Sequence, residues 1–199
     1  KTNILFSFLV LIVITPSLEY LIALEIKLLK KTYPVNKLND DKKAYYELND
    51  NVLRFFYTYV YGKNSLIVTL GINNFYEAYV KESLITFISH RFEEIVRSYY
   101  SILSINGKLK GIKNIGTYYY DDAKNKKNGV FDVALEFNDY LKIIEVKYYK
   151  NKLTLSEMKK EIEQINNIKT NLNIKYAFIS TSGYDDCDYE CIDINSLYN

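Results

Sequence analysis

Apolar positions along this chain follow two rhythms, one helical and one extended. From Asn73 to about Leu103 they recur every three or four residues. Leu84, Phe87, Ile88, Phe92, Ile95, Val96 and Tyr99 form one stripe, the pattern of an amphipathic helix. The segment "NGKLKG" breaks it with two glycines. "IKNIGTYYY" then reads as a strand and "DDAKNKKNG" as an exposed loop. "FDVALEFNDYLKIIEVK" reads as two strands around a tight turn at Asn138-Asp139. "LTLSEMKKEIEQINNIK", Leu153 to Lys169, returns to helical spacing. "IKYAFIST", Ile174 to Thr181, is a short continuous apolar run, as expected of a buried parallel strand. The order from Asn73 onward is therefore α-β-β-β-α-β. The helix between the third and fourth strands acts as a crossover and makes those strands parallel. The pattern predicts an α/β (α+β) domain over 73–199, with a mixed sheet of strands near 112–120, 130–137, 141–148 and 174–180.

Upstream, Thr15 and Pro16 suit a helix start, and a helix is expected from Pro16 to Lys27. "LLKKTYPV" and "KAYYELND" follow as short strands around a polar segment. A helix followed by a basic hairpin outlines the C-terminal half of a winged helix-turn-helix. Its Lys30, Lys31, Lys42 and Lys43 are expected on the exposed side. "NVLRFFYTYVYG" is an aromatic helix whose Leu53, Phe56, Tyr57 and Val60 are expected to form core. Residues 1–62 are thus read as a first, partial domain.

Composition narrows the classes. At 48% hydrophobic and 25% charged the chain is globular rather than disordered. A net charge of +2 gives no global attraction to nucleic acid, so any such binding rests on a local patch. Two cysteines, Cys187 and Cys191, fit a reducing cytoplasm. With His90 the one histidine, a zinc site lacks ligands. "ILFSFLVLIVI", Ile4 to Ile14, resembles a signal-peptide core but is too short to span a bilayer comfortably. It is read as a buried element, with no stable membrane association.

The hairpin raises a chemical question. If Asn138-Asp139 is a two-residue turn, Phe137 pairs with Tyr140 and Asp132 lies opposite Glu145. Phe131, Val133, Leu135 and Phe137 then share one face, with Asp132 on the other. Glu145 and Lys147, two apart, share a face. Opposed like charges destabilise a sheet unless something neutralises them. A divalent cation would do so, and so would the Lys147 ammonium. Mg²⁺ or Mn²⁺ on two carboxylates can activate a water toward a phosphodiester, and a lysine can stabilise the phosphate. An exposed edge strand with an ordinary Glu–Lys pair would look the same. Lys124, Lys126 and Lys127 in the preceding loop could grip phosphate, although a solvated charge run is the default. Lys159 and Lys160 carry the same ambiguity, and His90 reads as a surface histidine.

Asp132, the "EVK" of Glu145 to Lys147 and the "FE" of Phe92-Glu93 resemble the PD-(D/E)XK nuclease superfamily. From about Pro16 the chain resembles more specifically the C-terminal region of prokaryotic and archaeal AAA-type ATPases, a domain of unknown function. "LLKKTYPV", "YYELNDNVLRFFYTYVY", "RFEEIV", "IGTYYY" and "FDVALEF…IIEVK" resemble its successive segments. The resemblance implies a winged-helix remnant followed by a restriction-endonuclease-like αβββαβ core. It implies Asp132 and Glu145 as metal ligands, Lys147 as the catalytic lysine and Glu93 as the helix acid. Phe131 stands where that family often has an acid, and "TYYY" replaces a tryptophan-rich strand end. No G-x-x-x-x-G-K-[ST] occurs, so the chain is expected to be a fragment or a stand-alone descendant without the ATPase module. Two readings stay open beside secretion: a Mg²⁺-dependent DNA endonuclease-like domain, or a non-catalytic module that binds DNA or regulates an ATPase partner.

Overall fold

The computed structural model describes residues 27–122 and 127–198. The apolar run Ile4 to Ile14 and nearly all of the helix expected from Pro16 lie outside them. The chain divides into two compact units, Lys1–Thr32 with Ala44–Phe75 and Tyr33–Lys43 with Tyr76–Asn199.

In the first unit, β1 (Leu29–Thr32) pairs antiparallel with β2 (Tyr45–Leu48), placing Leu29 opposite Leu48 and Thr32 opposite Tyr45. Asp50 then caps α1 (Asn51–Phe55), its carboxylate accepting the Leu53 N–H at 2.8 Å. The helix runs into one wide turn, Phe56–Val60, closed by the Tyr61 N–H on the Phe56 carbonyl at 2.8 Å. That i→i+5 winding inserts a residue and rotates the apolar face. Arg54 and Tyr59 are buried, whereas Phe56 and Tyr57 are exposed. The expectation that Phe56 and Tyr57 fill the core is corrected for this reason. Buried Arg54 keeps its charge paired with Glu47 at 3.0 Å and donates to the Leu48 carbonyl. α2 (Asn64–Tyr79) is interrupted at Gly71, whose φ of 74° suits glycine and few other residues.

The longer segment of the second unit begins within α2, at Tyr76. The helix expected from Asn73 to Leu103 is divided at Val80, and α3 runs Lys81–Ile105. Five strands follow in the spatial order β3 (Ile112–Asp122), β4 (Lys127–Phe137), β5 (Tyr140–Lys147), β6 (Asn173–Ser180) and β7 (Cys191–Ile192). β3, β4 and β5 form an antiparallel meander. β6 runs parallel to β5, and β7 parallel to β6. α4 (Leu155–Ile165) is the crossover between β5 and β6. It starts in a reciprocal cap, in which Thr154 accepts the Glu157 N–H while Glu157 accepts the Thr154 N–H. The αβββαβ order is thus present, with β7 as an added edge.

A helix covers each face of the sheet. Phe92, Val96 and Tyr100 of α3 pack on Val133, Leu135, Ile144, Val146 and Ile179. Ile95 is 50% exposed, so the buried stripe is narrower than the sequence pattern implied. On the other face Ile165 and Ile168 pack on Phe131, Ala134, Leu141 and Ile143, and Met158 packs on Phe178 and Leu153. Each fully buried side chain of this kind contributes about 1.5–3 kcal/mol. Among the described residues no helix is long and apolar enough to cross a membrane.

Candidate functional site

The two strands of the β4–β5 hairpin part where their polar residues begin. The turn at Asn138-Asp139 stacks Phe137 on Tyr140 at 4.2 Å. The ladder then runs from Glu136↔Leu141 to Val133↔Ile144 and goes no further. On its other side β4 carries a bulge against β3, between the pairs Gly116↔Ala134 and Tyr118↔Phe131. There Asp132 and Val133 together oppose Thr117 alone. The extra residue resets the alternation. Phe131 turns to the α4 face, its ring tilted by 30° against Tyr120 at 4.8 Å, while Val133 stays on the α3 face. Tyr120 lies across Gly129, where a Cβ would come within 2.7 Å of its ring. The expectation that Phe131, Val133, Leu135 and Phe137 share a face is therefore corrected at Phe131.

The bulge leaves Asp132 between the layers. Its carboxylate accepts the Val146 N–H, filling the place a ladder carbonyl would take. Its own carbonyl accepts from Arg97 of α3 at 2.6 Å. Glu145 is 4% exposed on β5. Lys147 reaches back to Glu145 at 3.2 Å and across to Glu161 of α4 at 2.8 Å. Glu93 of α3 lies close enough to Asp132 to repel it and rests against His90 Nδ1 at 3.3 Å. Glu94 is held apart by Arg91 at 3.0 Å.

Charge is unbalanced here. Asp132, Glu145, Glu161 and Glu93 face the cations Lys147 and Arg97, a surplus of two carboxylates. Burial first, then repulsion by Glu93, raises the Asp132 carboxyl to about 6. Burial and then Asp132 push Glu145 up to about 8, against the downward pull of Lys147. Burial works against the Lys147 ammonium, but Glu145 and Glu161 outweigh it and hold its pKa above the usual lysine range. The sequence missed two partners. Arg97 is one helical turn after Glu93, a spacing that could have signalled it. Glu161 sits mid-helix in a mixed-charge segment and gave no signal.

Residues 56–173 match the model of the DUF234 family, described as archaeal and bacterial proteins of unknown function. The chain belongs to the DUF234 family. The matched stretch exceeds half of the chain and contains Glu93, Asp132, Glu145, Lys147 and Glu161. The β1–β2 hairpin and the cysteines fall outside the DUF234 match. No curated protein matches the chain.

The basic residues singled out in this DUF234 chain are not gathered together. Lys30 is half-buried against Glu47 at 2.9 Å, whereas its exposed neighbour Lys31 lies over Tyr46 at 5.5 Å. Adjacent strand residues point to opposite faces, so the two cannot share a side. Lys42 is exposed, while Lys43 is half-buried with Nζ 2.8 Å from the Tyr119 hydroxyl. The expectation that all four are exposed is corrected for Lys30 and Lys43. Lys124 and Lys126 lie outside the described residues, as does the side chain of Lys127. Lys159 and Lys160 are exposed on α4. Cys187 and Cys191 approach to 3.5 Å as thiols. Among the described residues no three His, Cys, Asp or Glu side chains form a metal-binding group.

Proposed function

We propose that this DUF234 chain is a metal-dependent DNA endonuclease-like domain of the PD-(D/E)XK kind, the C-terminal part of an ATPase-associated protein. The observation that carries this reading is the carboxylate surplus around Asp132 and Glu145. Two carboxylates, Glu145 buried and Asp132 half-buried, whose protons are held tightly are in want of a cation. The pair suits Mg²⁺ or Mn²⁺, which bind through one or two carboxylates and otherwise keep water or phosphate oxygens. Asp132 and Glu145 would hold the ion, which when bound supplies a water of lowered pKa and neutralises phosphate charge.

The chain's own groups have separable roles. The Val146 N–H and Arg97 fix Asp132 at the bulge. Glu161 holds the Lys147 ammonium beside Glu145, so a phosphate arriving there meets a cation already in place. Glu93 is the outer carboxylate on α3. The αβββαβ order with a helix on each face supports the restriction-endonuclease-like assignment. The β1–β2 hairpin and the exposed Lys31 support a winged-helix remnant that meets DNA phosphates. Two thiols fit a reducing, cytoplasmic setting.

A non-catalytic DNA-binding or ATPase-regulating module is the second reading. It is favoured by the want of a third coordinating side chain among the described residues. Plasmid DNA incubated with the protein and Mn²⁺, with calorimetric Mn²⁺ titration alongside, separates the two. Mn²⁺ binding and nicking that both vanish in Asp132→Asn support the nuclease. Binding of DNA with neither supports the module.

A further inference from the structure

We infer that the groove at the carboxyl ends of β5 and β6 holds an unpaired nucleotide of single-stranded DNA, its base stacked on Tyr149. The inference rests on the nuclease reading and names its substrate class.

In sheets with parallel strands, ligands gather where the carboxyl ends of those strands open. β5 and β6 end at Lys147 and Ser180, and a cavity of about 430 Å³ begins there. That size lies within the usual range for small-ligand sites. One wall is the loop Tyr148–Lys150 with Thr181 and Ser182, and the other is the first turns of α3 through Leu84, Ile85 and Ile88.

The loop is locked. The Thr181 N–H donates to the Lys147 carbonyl at 3.2 Å. The Tyr149 N–H donates to Thr181 Oγ1 at 3.1 Å, and the Thr181 hydroxyl donates to the Tyr149 carbonyl at 2.9 Å. Ser182 donates to the same carbonyl. The backbone of Tyr149 is therefore fixed while the residue stays 40% exposed, and Tyr76 opposite is 39% exposed. Aromatic side chains held in place beside a positive rim are what stacked bases require. Lys150 and Lys81, the latter paired with Glu77 at 2.7 Å, supply the rim, and no lining residue is acidic. No carboxylate lines this groove, unlike the site beside it.

Its position matches a strand passing through that site. Tyr148 directly follows Lys147. Ile88 precedes Glu93 by five residues, about 7.5 Å along the helix, or roughly two stacked nucleotides at about 3.4 Å each. A base can present its face to Tyr149 only when it is free of a neighbour in the duplex stack. Single strands and frayed ends therefore enter, and intact duplex does not.

The test is fluorescence anisotropy with a labelled short oligothymidine and a blunt duplex of equal length, in chelator. Wild type should bind the single strand more tightly than the duplex. Tyr149→Ala and Tyr149→Leu should weaken the single strand roughly tenfold and leave the duplex unchanged, and Tyr149→Phe should bind as wild type. Equal single-strand affinity for wild type and Tyr149→Leu overturns the inference, and so does a wild type that does not bind oligothymidine. Mn²⁺ is then added. Tyr149-dependent binding without cleavage refutes the nuclease reading and keeps the groove. Cleavage of oligothymidine at the wild-type rate by Tyr149→Leu refutes the groove and keeps the nuclease.

Discussion

Replacing Asp132 with asparagine separates charge from shape at the carboxylate site. Burial and Glu93 raise the Asp132 carboxyl from 3.8 to about 6, so the folded chain holds this proton more tightly than the unfolded chain. The stability tied to it is complete below 3.8 and is lost as pH climbs through about 6. At about 1.4 kcal/mol per pH unit the loss is about 3 kcal/mol. Glu145, raised by burial and then by Asp132, extends the decline toward about 8. Without a cation, wild type is expected to lose stability steadily from about pH 4 to about pH 8.

The amide of Asp132→Asn keeps an oxygen for the Val146 N–H, so the bond at the end of the ladder survives. The variant loses its own titration and its repulsion of Glu145. Its stability should fall less steeply with pH than that of wild type, because burial alone still raises Glu145, and near pH 8 it should match wild type or exceed it by up to about 3 kcal/mol. Urea unfolding in chelator, followed by far-ultraviolet circular dichroism because the chain has no Trp, measures this across pH. Adding Mn²⁺ should stabilise wild type through ligand linkage and leave the variant unmoved. Parallel pH curves for the two proteins, or a variant less stable at every pH, would refute the reasoning. Asp132 would then be a neutralised partner of Arg97 and Lys147.

Lys147→Ala should retain Mn²⁺ binding by calorimetry yet lose plasmid nicking; nicking at the wild-type rate removes Lys147 from the chemistry. Thr154→Ala takes away half of the cap on α4 and should cost about 1 kcal/mol, read as a lower melting temperature with the folded spectrum unchanged. Lys31→Ala combined with Lys42→Ala should weaken duplex DNA binding and flatten the slope of log affinity against log salt by roughly one for each phosphate left unneutralised. A wild type whose affinity ignores salt would take the hairpin out of DNA binding.

The element order was legible in the sequence because each element shows its own period. The parallel β5–β6 pair followed from a continuous apolar run after an amphipathic crossover, and the register of β5 against β4 followed from a two-residue turn. What alternation could not reveal were the places where it is broken. The wide turn after α1 buries Tyr59 and exposes Phe56 and Tyr57, because one added residue rotates the helix face. The bulge opposite Thr117 sends Phe131 to one helix and Val133 to the other. Both are backbone events without a residue signature.

The second of them makes the site. Had β4 stayed regular, Asp132 would have pointed straight off one face of the sheet, and the Val146 N–H would have gone to a β4 carbonyl. With the extra residue the ladder stops, and the carboxylate takes that N–H instead. Asp132 is thereby set at the mouth of the split, within the field of Glu93 from α3 and of Lys147 from the neighbouring strand β5. The hairpin thus carries two carboxylates and a lysine among apolar neighbours because it is a sheet only as far as Val133 and Ile144. Beyond that pair, backbone groups that would have bonded to each other are turned to holding charged side chains.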